Sequence, residues 1–502
     1  MKISIQICLV LCCALLLGSA EAREKSDNSL RDNLTATRNH YTHLISGNTP
    51  NIAELTLFTN MLPKGGDVHH HYSGAIYAET YLDWVEAQNF CIYTSTDASL
   101  KIERFRIESK PQELSDAARQ ACASADAVRN DNAFYRELLQ RWSDKDYGNH
   151  FHQQPAPDQQ FFDTFGYFGT VSGYDVNKGL QSLKVRAKDE NISYLETMLK
   201  GGPSVENREV AALIGPLTAN TPEQQMHEAL DRAFAILAGD AETLAKIDGY
   251  VKSLEAAASG LDDEDFKLRF QTYVSRNNPP AQVFGSLFTS FAAAGRTPLV
   301  VGVNILGPEN RHVAMRDYSL HMKMFEFFKR HYPGVKLSLH AGELVLGMIP
   351  PEGLRHHIRE AVLVAGADRI GHGIDIAHET DAPQLLNIMK QKKVAVEVNL
   401  TSNEFILGIK NEAHPVGLYA RHGVPFVIST DDPGVSRNNL SGEYLLYTSR
   451  YKPSYDNLKE VVYNSIHFSF LSKNEKAEEI VKLDKRFARF EARIASLPPQ
   501  AR

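Results

Sequence analysis

Cysteine is scarce in this chain of 502 residues: there are five, and Cys8, Cys12 and Cys13 crowd into its first thirteen positions. Only Cys91 and Cys122 follow. A thiol-rich metal scaffold is therefore excluded, and the chain is long enough to bury a large core instead. A basic excess is missing too. Lys and Arg total 54 against 61 Asp and Glu, a net charge of -7, and no basic stripe runs along the chain. Phosphate binding needs a basic surface, so this balance argues against nucleic acid as a partner. Beyond the N-terminus no apolar stretch reaches the roughly 20 residues that span a bilayer. There is no glycine-rich phosphate turn after the first candidate strand, no internal repeat and no low-complexity tract.

What is present is the composition of a soluble globular protein, 43% hydrophobic and 23% charged. The start reads as a signal peptide over residues 1–22. Lys2 supplies a positive start, Ile7 to Leu17 an apolar run, and Ala20-Glu21-Ala22 a small-x-small cleavage site. Cleavage after Ala22 predicts a secreted or periplasmic protein; a buried N-terminal helix is the plain alternative. In an oxidising compartment Cys91 and Cys122 suit a disulfide, the other reading being two buried thiols.

Residues 23–60 form a polar arm with helical periodicity at Leu44, Ile45, Ile52, Leu55 and Leu57. It is expected to pack on the main body or on a second subunit. From residue 61 to about 500, strand-like runs alternate with amphipathic helical stretches. The candidate strands are Asp67–His71, Ser193–Met198, Arg269–Val274, Pro298–Asn304, Lys336–His340, Arg369–His372, Val394–Val398 and Pro425–Thr430. This alternation predicts an α/β fold, a closed (β/α)8 barrel, with an open doubly wound sheet as runner-up. A helix is expected over Ile76–Phe90, an inserted subdomain over about 91–160, and a second, helical insertion over Ser204–Ala258.

Several of these strands end in polar residues that chemistry would use. Alternate strand residues face the same way, so His69 and His71 point together and His70 points away. Two imidazoles so placed can share a cation; surface histidines on a polar strand edge are the bland reading. SLHAGE adds His340 as a third ligand, with Gly342 allowing a sharp turn and Glu343 placed to carry a proton. VISTDDP closes a buried strand with two carboxylates, which repel unless a cation lies near. Asp431 can bind that cation and leave Asp432 for a substrate; a turn or helix cap would explain Asp432 alone. His372, between two glycines in RIGHG, has room for a ligand or water beside it.

PKGGDVHHHYSGA, SLHAGE, RIGHG, VEVNLTSNEF and HPVGLYARHGVPFVISTDDP together resemble, in order and spacing, the adenosine deaminase family. The M-x-PKGG opening, the export signal and the cysteine-bearing insertion resemble its secreted branch, the adenosine deaminase-related growth factors. The resemblance implies a zinc-dependent barrel of the metal-dependent hydrolase type that converts adenosine, and 2′-deoxyadenosine, to inosine and ammonia. It implies one Zn2+ per subunit on His69, His71, His340 and Asp431. His372 would orient and deprotonate the attacking water, and Glu343 would protonate purine N1. Asp432 would share a hydrogen bond at N7, and the Gly307 backbone would meet the sugar-side edge. Glu397 matches a buried family glutamate that orients a ligand or base. A homodimer, and receptor or glycan binding by the insertion, are further implications.

The chain departs from the family where an aspartate should grip the ribose 5′-hydroxyl: Tyr72 and Ser73 stand there. Serine can bond more weakly than a carboxylate, so 5′-modified nucleosides enter the substrate range. Asn304 replaces a fourth-strand aspartate, and Asn399-Leu400 a Cys-Pro. Two rivals follow: a deaminase of another purine, and a non-catalytic binding protein. A nucleic-acid deaminase is disfavoured, because its His/Cys/Cys zinc set needs cysteines that are not there.

Overall fold

A computed structural model describes residues 28–145, 147 and 155–498. The expected signal peptide lies outside the described residues. Eight parallel strands form the barrel: β1 (Gly65–His71), β5 (Ile192–Gly201), β6 (Lys267–Ser275), β7 (Val300–Leu306), β8 (Lys336–Ala341), β9 (Arg369–His372), β10 (Ala395–Val398) and β11 (Phe426–Ile428). They follow one another around the sheet in chain order. The ends meet where His71 N–H donates to Asp431 O at 2.8 Å and Asp431 N–H to His69 O at 2.9 Å. The fold is a (β/α)8 barrel.

Both faces of the strands are buried, as in parallel strands under helices, but only the outward face is apolar; the inward face carries polar residues such as Ser338 and Glu397. Val396 and Val398 of β10 and Leu337 and Leu339 of β8 are all buried. Only Arg369–His372 matches the sequence reading at both ends; the other strands shift by one to three residues, and two of the shifts have a plain cause. β7 starts at Val300, since Pro298 has no N–H for the ladder, and runs on to Leu306 beside Ser275. β11 stops at Ile428, because Thr430 turns its N–H and hydroxyl to the Asp67 carboxylate, at 3.3 and 2.5 Å.

Between β1 and β5 lies the insertion. After a helix at Ala78–Ala87, β2 (Cys91–Tyr93) pairs antiparallel with β3 (Ile107–Glu108) and β4 (Cys122–Ala123). Cys91 and Cys122 are joined, their Cα atoms 5.5 Å apart. A later helix, Pro157–Phe168, brings aromatic side chains to the barrel mouth. The insertion after β5 comprises helices Arg208–Ile214, Glu223–Gly239 and Ala241–Ala258.

The N-terminal arm is helical over 28–45 and Ile52–Met61. It packs on this chain's own C-terminal helices, Tyr455–His467 and Lys473–Ala495. Phe58 meets Phe490 edge-on at 5.1 Å and Tyr455 at 6.3 Å, and Thr37 donates to Glu491 O at 3.3 Å. Burying Phe58 alone contributes about 2–3 kcal/mol. No helix among the described residues is long and apolar enough to cross a membrane.

Candidate active site

The C-terminal strand ends gather the residues singled out above. β1 delivers His69 and His71 to the barrel axis and sends His70 outward, where its Nδ1 meets Thr197 Oγ1 at 2.9 Å. β8 delivers His340, β9 His372, and the turn after β11 Asp431 and Asp432. His372 (φ 65°) and Asp431 (φ 62°) both lie in the left-handed region. Such strain at non-glycine residues persists only where the surroundings enforce it, and it clusters at functional sites.

One nitrogen each from His69, His71 and His340 and one oxygen of Asp431 lie within 4.8 Å of one another. Asp431 Oδ1 is 3.2 Å from His69 Nε2 and 3.1 Å from His71 Nε2; His340 Nε2 is 3.2 Å from His71 Nε2. Ligands at 2.0–2.1 Å from one tetrahedral zinc stand about 3.3 Å apart, so the set has the spacing a metal needs. Two imidazole nitrogens facing each other this closely fit a shared cation better than a hydrogen bond.

The tautomers agree. His69 Nδ1–H donates to Glu397 Oε2 at 2.6 Å, and His340 Nδ1–H to Asn304 Oδ1 at 3.0 Å. Each leaves an Nε2 lone pair for the metal. Beneath them runs one buried network. Glu397 Oε1 accepts from Ser338 Oγ at 2.8 Å and from Arg369 Nε. Arg369 also donates to Glu196, its guanidinium stacked 3.7 Å from the Phe470 ring centroid. Glu196 Oε1 accepts from Gln271 at 2.9 Å, and Gln271 Oε1 accepts from Asn304 Nδ2 at 2.9 Å. Asn304 thus serves both ends, accepting from a ligand and donating to the floor. Burial opposes the Glu397 charge, but Arg369 overrides it and holds the carboxyl down at about 2.

Glu343 stands on the turn after His340. Gly342 (φ 76°) makes that turn, and a Cβ there would fall 2.3 Å from Asp375 Oδ1. Glu309 clamps it, accepting from Gly342 N at 3.2 Å and Glu343 N at 2.9 Å. Arg276 Nη1, at 3.1 Å, and His357 Nδ1, at 2.5 Å, hold Glu309 in turn. Burial pushes the Glu343 carboxyl well above its ordinary range, and the charges of Asp431 and Glu309 push it further. Asp432 is raised by the same causes, burial first and Asp431 next, and its Oδ1 has no hydrogen-bond partner. Gly74 makes room for it: a Cβ there would lie 1.5 Å from that oxygen. His372 Nε2 faces Asp431 Oδ2 at 3.9 Å, and its Nδ1 meets Asn403 Nδ2 at 2.9 Å.

These groups line a cavity of about 310 Å³. His71, His340, Glu343, His372, Asp431 and Asp432 form its floor, with Ser73 and Gly307 on the walls. Tyr72 does not line it; its hydroxyl turns to Val176 O at 3.5 Å. Phe161, Phe162 and Phe165 of the insertion roof the cavity, and Tyr273 and Arg311 also line it. The sequence reading missed these five; for the three phenylalanines the reason is that an aromatic run at helical spacing looks like ordinary core. A larger cavity, about 370 Å³, lies between the loops after β8, β9 and β10. It holds Asp375 and His414 but none of the candidate ligands, so the chemistry belongs to the smaller one.

Comparison with known proteins shows a family likeness over part of the chain and a shared fold. Residues 247–486 match the sequence family described as adenosine deaminase. That stretch carries His340, Glu343, His372, Glu397, Asp431 and Asp432, while His69 and His71 come from outside it. Adenosine deaminase of Yersinia pseudotuberculosis is 30% identical over 155 residues, 30% of this chain and 43% of that protein. The chain spans about half or less of the length of the curated relatives it matches. Among solved structures, an Arabidopsis N6-mAMP deaminase aligns with a TM-score of 0.53 at 16% identity, over 86% of this chain and 99% of its own. An amidohydrolase from Burkhoderia ambifaria, with bound Zn, aligns at 0.52 and 17% identity, over 88% of this chain and 95% of its own. Both support the fold.

Proposed function

We propose that this chain, an adenosine deaminase relative over residues 247–486, is a metal-dependent hydrolase that converts adenosine and 2′-deoxyadenosine to inosine and ammonia. The observation that carries the reading is the meeting of His69, His71, His340 and Asp431 at one point, beside Glu343 and Asp432 in one cavity. The donor set suits zinc. A zinc held there would acidify a water to a pKa of about 7.

The chain's own groups do the rest. Glu343, kept neutral by burial, holds a proton for purine N1; a protonated N1 makes C6 electrophilic. Asp432 lines the cavity, its Oδ1 is unpartnered, and its carboxyl group shares a hydrogen bond at N7. Gly307 (φ 104°) offers backbone to the sugar-side edge. Phe161, Phe162 and Phe165 cover the base and exclude water from the reacting carbon. His372 orients the attacking water.

Release of one ammonia per inosine, followed by chromatography on the purified protein, tests the reading. No inosine from adenosine would count against it. A second reading concerns the sugar end. Arg311 lines the cavity with no acidic partner among the described residues, and Ser73 stands where a carboxylate would repel an anion. A 5′-phosphorylated nucleoside fits that pairing. Adenosine 5′-monophosphate turned over faster than adenosine, with the advantage lost in Arg311→Gln, would favour it.

The secreted placement, and kinship with the growth-factor branch, are part of the proposal. The Lys2, Ile7–Leu17 and Ala20-Glu21-Ala22 pattern supports export, and the Cys91–Cys122 bond supports an oxidising compartment. Secreted material beginning at Arg23 would agree; retention of residues 1–22 on exported protein would not.

A further inference from the structure

Behind His372 the hydrogen bonds run in one sense only. The backbone N–H of Val416 donates to His414 Nδ1 at 3.1 Å. That nitrogen must therefore carry a lone pair. The His414 ring is neutral, since burial lowers its pKa to about 3. Its proton then sits on Nε2, which lies 3.2 Å from Asn403 Oδ1 and donates to it. With its oxygen turned to His414, Asn403 offers its amide N–H to His372 Nδ1 at 2.9 Å. An N–H aimed at Nδ1 needs a lone pair there, so the His372 proton belongs on Nε2. Glu343 Oε1 is the carboxylate oxygen facing Nδ1, and at 3.6 Å it is too far to claim a proton from it. Side-chain amides and rings can be turned over; a backbone N–H cannot become an acceptor. Val416 thus fixes the direction of the whole chain.

We propose that Asn403 and His414 are positioning residues that hold His372 in its Nε2–H tautomer, so that His372 meets the attacking water as a hydrogen-bond donor and not as a base. This rests on the deaminase reading, and it revises the deprotonating role that the family resemblance implied. Nε2 is the nitrogen turned toward the ligand set, 3.9 Å from Asp431 Oδ2. Carrying a proton, it can steady negative charge growing on the water oxygen but cannot take the water's proton. A zinc held by His69, His71, His340 and Asp431 would supply the acidity: a water it brought to a pKa of about 7 would need no protein base at neutral pH.

Two measurements on the zinc-loaded enzyme test this. Protein labelled with 15N-histidine is examined by long-range 1H–15N correlation, and the His372 signals are identified by their loss in His372→Gln. A proton on Nε2 is expected; a proton on Nδ1 would overturn the proposal. This readout stands even if adenosine is not the substrate, so it separates failure here from failure of the deaminase reading. The second measurement is kinetic. Asn403→Asp presents a carboxylate to Nδ1 and forces the opposite tautomer. Its kcat on adenosine should fall about 100-fold, with KM and zinc content unchanged. A kcat equal to or above wild type would show that the base tautomer is the productive one. Should Asn403→Asp fail to fold, the His414 pair decides. His414→Glu turns Asn403 over and should lose activity, and His414→Gln, which still offers an N–H to Asn403, should recover most of it. Equal activity in the two would overturn the proposal.

Discussion

Replacing Glu397 by Gln removes one negative charge from the centre of the barrel and leaves the side chain's size unchanged. Glu397 is fully buried and holds three partners: His69 Nδ1 at 2.6 Å, Ser338 Oγ at 2.8 Å, and Arg369. Two losses follow. Arg369 keeps only Glu196 as a charged partner. Breaking a buried pair from one side costs about 3–5 kcal/mol, and the remaining carboxylate puts this case at the low end. His69 suffers separately. If the new amide turns its oxygen to Nδ1, its NH2 faces the N–H groups of Arg369; if it turns over, Nδ1–H loses its acceptor. Either way the imidazole is held less firmly for the metal. Loss of such a partner typically weakens metal binding 10- to 100-fold, about 1.4–2.8 kcal/mol. Zinc affinity is read by competition with a chromophoric chelator. Urea unfolding in excess chelator reports stability without the metal. Affinity within about threefold of wild type, with an unchanged unfolding midpoint, would refute the coupling argued here.

Other substitutions probe other parts. Gly74→Ala puts a methyl 1.5 Å from Asp432 Oδ1, so Asp432 must move; kcat/KM should fall by about 100-fold while zinc content holds. Cys91→Ser with Cys122→Ser opens a loop of 31 residues; the chain-entropy relation gives about 3–4 kcal/mol lost from the insertion, seen as earlier proteolysis between β1 and β5. Glu309 concerns pH. Burial opposes its charge, but Arg276 and the His357 hydrogen bond lower its pKa from 4.5 to about 2 in the folded protein. A lowered folded value stabilises above the unfolded pKa, and that stability is lost as pH falls from about 5 toward 2. The term is about 3 kcal/mol, so Glu309→Gln should be less stable at pH 7 and should show a flatter decline on acidification, measured by urea midpoints.

The polar strand ends are legible in the sequence for a local reason. A run such as VKLSLHAG alternates or stays apolar until the ligand, and the glycine marks the turn. The H-x-H spacing works because strand side chains repeat every second residue. The floor is not legible. Arg369 and Glu196 touch across 173 positions, and each looks in sequence like one more residue of an apolar strand. Asn304 is visible only as a departure from a family pattern; its double role needs His340 and Gln271 in view. Tyr72 and Ser73 are adjacent in sequence, yet the helical turn Tyr72–Ala75 after β1 sends one to Val176 and the other to the cavity. The roof is hidden for another reason. Phe161, Phe162 and Phe165 sit on a helix whose spacing suits packing equally well, and only the fold brings that helix over the barrel mouth.

The central claim is metal-dependent deamination at the histidine and aspartate set. It is tested most directly by the fall in ultraviolet absorbance as adenosine becomes inosine, using zinc-loaded protein, the same protein with a chelator, and His340→Ala. Rapid loss with zinc, stopped by the chelator and absent in the variant, is the predicted result. Zinc-replete protein that leaves adenosine unchanged, or turnover that survives both chelator and His340→Ala, would contradict the account.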